Sequence, residues 1–273
     1  MTGPQRLLAF TAGFGAGAAG GLFGVGGGLV LIPILTGFFR LSQHQAHGTS
    51  LAVIGATALV SVVVYGWHGN VAWGTAALVA IASIFTARIG ARLTTRFSPF
   101  GLAKAFAVFL FLVAIRLLWK VPEPTAAVFH SGPAAIWFDL LLGAMVGLVA
   151  GFMGVGGGII SVPVFTLGLG MTQQLAQGTS LAVILVAAPA GAIEHARHGN
   201  VVRGMVPLLA VGALLGGPVA SWFVQGLPQA LLARGFALFL LANAVVTWLR
   251  ADRARRHAAG AAAQGATGQR TPT

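Results

Sequence analysis

The sequence predicts an all-α polytopic membrane protein built from two tandem repeats, on three observations. Hydrophobic residues make up 57% of the 273 positions and charged residues only 7%, too few charges to cover a water-soluble domain of this size. Apolar stretches long enough to cross a hydrocarbon layer follow one another along the chain. A shift of 130 residues, which carries Gly24 onto Gly154, lays the first half on the second without gaps from about Gly17 to Leu117.

Taken in order, eight stretches read as full spans: Leu7–Phe23, Ala46–Tyr65, Val71–Ala91, Gly101–Trp119, Ala134–Met153, Ala176–Ile193, Val201–Phe223 and Ala230–Leu249. Two more, Leu29–Phe39 and Ile159–Leu169, are too short to cross; each follows a glycine run and contains a proline, so they read as half-helices. Arg6, followed by an apolar run with Ala16 and Ala18, mimics a signal peptide, but the same span recurs inside the chain at Ala134–Met153 and therefore belongs to the fold. Ala251–Thr273 lacks apolar periodicity and reads as a disordered tail. The expected organisation is repeat 1 over residues 7–119, a linker over 120–133, repeat 2 over 134–249 and a disordered cytoplasmic tail over 250–273.

Lys and Arg total 16 against four acids, Glu123, Asp139, Glu194 and Asp252, a net charge of +12. The cations lie between and beside apolar runs, so they signal topology rather than a nucleic-acid surface, and no nucleic-acid partner is expected. With no cysteine in the chain, disulfides and thiolate metal sites are excluded.

The repeat is carried by polar identities that hydrophobicity alone does not generate. Gly24-Val25-Gly26-Gly27-Gly28 matches Gly154-Val155-Gly156-Gly157-Gly158, and Pro33 and Thr36 match Pro163 and Thr166. Gly48-Thr49-Ser50-Leu51-Ala52-Val53-Ile54 matches Gly178-Thr179-Ser180-Leu181-Ala182-Val183-Ile184, and His68-Gly69-Asn70-Val71 matches His198-Gly199-Asn200-Val201. If each glycine run simply breaks one crossing, the halves are parallel; if the segment from Leu7 to Phe39 enters and returns, they are inverted. Inversion puts 13 of the 16 cations on the cytoplasmic side, with both termini there, against 10 for parallel halves, and the positive-inside rule favours the inverted count.

Three consecutive glycines cost about 1 kcal/mol each inside a helix, so the two runs are expected to be unwound. Irregular backbone survives in a membrane only where protein or a watery cavity satisfies it, and transporters place such breaks at the substrate, with the N–H end of a half-helix facing an anion. Gly26, Gly27 and Gly28 with Gly156, Gly157 and Gly158 are therefore candidate substrate-binding residues. The hydroxyls of Thr49, Ser50, Thr179 and Ser180 add neutral donors, against the plain alternative that they bond the preceding helical turn. Gln43, Gln173, His47 and Gln177 extend the polar lining. Gly13, Gly17 and Gly21, and likewise Gly143, Gly147 and Gly151, have the four-residue spacing of close helix packing.

His68, Asn70, His198 and Asn200 sit between spans, where a tight turn explains them and a gate is the sharper alternative. Glu194 is the candidate for proton coupling, with an interfacial ion pair to Arg197 as the competing reading. Arg88 and Arg92, near a span end, snorkel to the surface. Neither a metalloprotease helix nor a serine-nucleophile elbow occurs, so no enzyme is expected.

The duplicated glycine run with its proline, and the duplicated Gly-Thr-Ser-Leu-Ala-Val, resemble the TauE/SafE family (TSUP) of sulfite exporters and organosulfur-anion permeases over about Gly13 to Leu249. The resemblance implies a multi-pass permease of the cytoplasmic membrane for sulfite, sulfonates, thiosulfate or related anions, with no cofactor. It also implies two similar four-helix units, which the charge count does not favour. The residues themselves reach a secondary transporter of a small anion; an anion channel or passive facilitator, and a non-transporting scaffold or receptor, stand as alternatives. Self-association is left open.

Overall fold

The computed structural model describes residues 3–93, 99–119, 133–153 and 157–268, which form helices without strands. In chain order these are α1 (Gly3–Phe23), α2 (Gly28–Gly37), α3 (Gln43–Trp67), α4 (Trp73–Leu93), α5 (Pro99–Trp119), α6 (Pro133–Met153), α7 (Gly158–Gly168), α8 (Gln173–Arg197), α9 (Val206–Gln225) and α10 (Gln229–Gly268). Four of the five helices in the second half start at the position 130 residues beyond their counterparts. Local chemistry sets the shared ends: Ser42 caps α3 in a reciprocal box with Gln45, and Thr172 caps α8 through the N–H of Leu175. Both helices stop where Gly69 and Gly199 take left-handed φ values of 73° and 71°. The exception is α9, which starts at Val206 with Pro207 in its first turn, later than the expected Val201.

Among the described residues, five helices are long and apolar enough to cross a membrane: α1, α3, α8, α9 and the Gln229–Arg253 part of α10. The expected disorder from residue 250 is corrected as far as Gly268, because α10 runs on to that residue. Alanine has the highest helix propensity, so an alanine-rich stretch continues a helix already nucleated by a packed span. Asp252, at this extension, pairs with Lys104 of α5, whose ammonium also lies 4.6 Å from the Trp248 ring centre.

Small residues decide which helices touch. A Cβ added at Gly17 would stand 2.6 Å from the Ala213 Cα, one at Gly13 2.8 Å from the Leu209 Cα, and one at Gly21 2.6 Å from the Ser221 Oγ. These contacts advance together along both helices, so α1 and α9 run parallel in backbone contact. In the same way Gly143 and Gly147 of α6 lie on Val79 and Ser83 of α4, again parallel. The four-residue glycine spacing is thus a packing device at every one of these positions.

The central pair, α3 and α8, crosses antiparallel. Gly48 near the start of α3 abuts His195 near the end of α8, Gly55 faces Pro189, and Gly178 near the start of α8 abuts Tyr65 near the end of α3. Leu31, Ile32 and Leu35 of α2 share a buried cluster with Ala9, Ala12 and Ala16 of α1, so α2 doubles back along α1. Outward faces carry exposed Phe85, Leu112, Leu141, Leu215 and Trp222, the apolar surface a lipid environment requires.

Candidate functional site

The site is built where the chain leaves α1. Gly24, Gly26 and Gly27 adopt φ values of 70°, 74° and 85°, a left-handed run that side chains resist and glycine accepts. The run is also crowded: a Cβ at Gly27 would meet the Ala16 carbonyl carbon at 2.7 Å. Val30 and Leu31 donate back to the Gly27 carbonyl. The N–H groups of Gly28 and Leu29 are left at the open end of α2 without a backbone acceptor among the described residues. At α7 the pattern repeats: Gly157 has φ 60°, and Ile160 and Ser161 donate to its carbonyl. Of the expected site residues, Gly156 lies outside the described residues.

The two turns come together. A Cβ at Gly158 would stand 2.8 Å from the Val25 Cα, so the first residue of α7 lies against the first glycine run. Ile54 and Ile184, equivalent in the repeat and each 3% exposed, close over them: Ile54 packs on Gly26 and Gly28, and Ile184 on Gly158. Two half-helix N-termini, each carrying about half a positive charge, thus converge between α3 and α8.

The four expected hydroxyls divide into different jobs. Ser180 Oγ donates to the Gly24 carbonyl at 2.8 Å and holds the first turn from across the repeat. Ser50 Oγ, 1% exposed, has no partner among the described residues and lies 3.3 Å from a Cβ placed on Gly28, beside the open end of α2. Thr49 and Thr179 are engaged elsewhere, accepting from the N–H of Val202 and of Ala72, both at 3.0 Å. They tie the start of α3 and of α8 to the chain entering α9 and α4.

His68, Asn70, His198 and Asn200 are turn residues in this structure. The ring Nδ1 of each histidine lies 2.8 Å from the carbonyl four residues earlier, and the N–H of Asn70 and of Asn200 closes the helix on Tyr65 and His195 at 2.8 Å. Glu194 points outward, with a side chain 61% exposed, 3.6 Å from Arg197 and 3.8 Å from His198. Among the described residues the buried acid, at 4% exposure, is Asp139 of α6. Because exposed ion pairs contribute little, Glu194→Gln is expected to change unfolding free energy by less than about 0.5 kcal/mol, measured by thermal or denaturant unfolding in detergent.

Sequence reasoning missed Tyr65. Its hydroxyl, fully buried, lies 2.8 Å from the Gly21 carbonyl and 3.0 Å from Gln177 Oε1, joining α1, α3 and α8 at one end of the site. The signal was available in the repeat, since Tyr65 and Gln177 stand where the other half has His195 and His47. Tyr65→Phe removes the one phenolic donor that these two buried acceptors share and is expected to cost about 1 to 3 kcal/mol, read as a lower thermal midpoint.

Helices long and apolar enough to span a bilayer, interrupted twice by glycine turns that meet in the interior, define a multi-span helical membrane protein of the transporter class. Within that class the chain belongs to the TauE/SafE family: the family model described as "Sulfite exporter TauE/SafE" matches residues 1–117 and 139–271. Similar proteins include the probable membrane transporter protein YunE of Bacillus subtilis, 27% identical over 76% of this chain and 84% of the relative. A probable membrane transporter protein of Xylella fastidiosa is 25% identical over 91% of this chain and 97% of its own length. Another from Haemophilus influenzae is 26% identical over 89% and 98%. No solved structure matches the chain significantly.

Proposed function

We propose that the protein is a secondary transporter of a small anion, held between the N-termini of α2 and α7 with the Ser50 hydroxyl as a further donor, Ser180 fixing the first turn. The observation that carries this reading is the meeting of the two glycine turns at Gly158 and Val25, with the unpartnered Ser50 hydroxyl beside the free end of α2. Neutral hydroxyls and main-chain N–H groups bind an oxyanion without the cost of burying a cation. The family description supports sulfite and related sulfur oxyanions or organosulfonates as the substrate class.

The antiparallel crossing of α3 and α8 supports inverted repeats, residues 7–119 and 134–249, with eight crossings and two half-helices in all. The doubling back of α2 along α1 reconciles four long helices per half with an odd number of passes, the arrangement that puts 13 of the 16 cations on the cytoplasmic side. In this reading the protein resides in the cytoplasmic membrane. Proteoliposome uptake of labelled sulfite, thiosulfate and a small sulfonate tests the function. Saturable counterflow of at least one is expected, flux without counterflow would indicate a channel, and no flux of any anion would overturn the proposal.

A further inference from the structure

Because equivalent positions are known to the residue, the two ends of the central α3–α8 crossing can be compared directly. Their backbones agree: a Cβ on Gly178 would stand 2.9 Å from the Tyr65 Cβ, and one on Gly48 2.9 Å from the His195 Cβ. The side chains do not. One end is a closed neutral latch, Tyr65 on Gln177, both 0% exposed, with Gln173 buried at 1% one turn before; Gln177 Nε2 and both polar atoms of the Gln173 side chain are buried there without a partner among the described residues. At the other end His195 replaces Tyr65, His47 replaces Gln177 and Gln43 replaces Gln173. There the two histidines are half-buried, Gln43 is exposed and its Nε2 lies 3.0 Å from His47 Nε2. His195 Nδ1 is itself buried, with no partner among the described residues.

We propose that His47 and His195 form a proton-binding gate at this mouth, the counterpart of the Tyr65–Gln177 latch, which links anion flux to protonation. The proposal rests on the transporter reading of the glycine site. A neutral imidazole offers one donor and one acceptor, so two neutral rings can pair across the mouth as tyrosine and glutamine do; two protonated rings carry donors only and repel. The gate is therefore shut when neutral and open when charged.

The groups that tune it are identifiable. His44 of α3 and Glu194 and His198 of α8 are the electrostatic neighbours of His195, and Arg197 is held by Glu194. Neither α2, α7 nor α9 carries a titratable side chain. Packed on α3 is α1, with Arg6; packed on α8 are α4, with Arg88 and Arg92 whose side chains lie outside the described residues, and α10, with Arg234, Arg250, Asp252, Arg253 and Arg256, and with Arg255 and His257 whose side chains lie outside the described residues.

The test rebuilds the latch at the histidine mouth. In proteoliposomes, wild-type anion uptake is expected to rise about tenfold as pH on the histidine side falls through the imidazole range, from about 8 to 5.5, and His47→Gln/His195→Tyr is expected to flatten that profile. The cysteine-free chain provides a second readout: because only the thiolate reacts, labelling is taken as the ratio of Gln43→Cys to the exposed reference Gly204→Cys at the same pH; that ratio should rise several-fold at low pH, and the double variant should abolish the rise. If the double variant is misfolded, Tyr65→His/Gln177→His should confer the same pH dependence on labelling of Gln173→Cys. Labelling that ignores pH, or an uptake profile unchanged by the double variant, would overturn the gate. Labelling that follows pH without flux of any anion would leave the gate standing and remove the transport reading.

Discussion

A Gly17→Val variant is expected to lose about 3 kcal/mol of stability, while Gly15→Val, two residues away, changes little. The contrast follows from where each glycine points. Position 17 faces the α9 backbone, where even a Cβ would lie 2.6 Å from both the Cα and the carbonyl oxygen of Ala213; position 15 has nothing within 4 Å. Side-chain rearrangement cannot relieve a clash between two main chains, so α1 and α9 must separate along a seam that also includes Gly13 and Gly21. In lipid no hydrophobic gain compensates, because the acyl chains are as apolar as the side chains, and close contact itself holds the pair together. Thermal midpoints and monodispersity in detergent report the difference. Equal behaviour of the two variants would show that the seam does not hold the helices.

The second large effect is functional, and its sign on stability makes it diagnostic. Ser50→Ala is expected to reduce anion uptake at least tenfold while leaving the thermal midpoint unchanged or raised. A buried hydroxyl without a partner destabilises the fold, so its removal relieves the protein when no anion is bound. Ser180→Ala should do the opposite: it deletes the bond that fixes the Gly24 carbonyl and should lower stability by about 1 kcal/mol. Its effect on uptake follows indirectly, through a loosened turn. Midpoints measured with and without sulfite separate the two, since a ligand that binds only the native state raises its apparent stability. If Ser50→Ala transports normally, the open end of α2 is not where the anion sits.

Much of this was legible in the sequence. The eight long stretches and two short ones each fall on one of the ten helices among the described residues, because apolar length and the glycine and proline breaks are local properties. The packing role of Gly13, Gly17 and Gly21 was legible for the same reason, whereas their partner was not: α9 lies roughly 190 residues away in the sequence, and spacing carries no address. Thr49 and Thr179 looked like ligand hydroxyls because hydroxyl chemistry alone does not separate an oxyanion from a backbone N–H. Tyr65 went unnoticed because an isolated tyrosine at a span end reads as an interfacial anchor; its bond to Gln177 bridges 112 positions. The informative positions here are those at which the halves differ, Tyr65 against His195 and Gln177 against His47.

The pairing of helices also says something about ancestry. Every major partnership crosses between halves: α1 with α9, α6 with α4, α3 with α8 and α5 with α10. In repeat terms each first helix binds the other copy's fourth, while the third and fifth bind their own kind. On the inverted reading proposed above, a single undoubled unit inserted into the bilayer in both orientations would satisfy all of these partnerships as an antiparallel two-fold homodimer. Fusion of two such genes would have fixed the orientations and freed the two mouths to diverge, one toward tyrosine and glutamine, the other toward histidine.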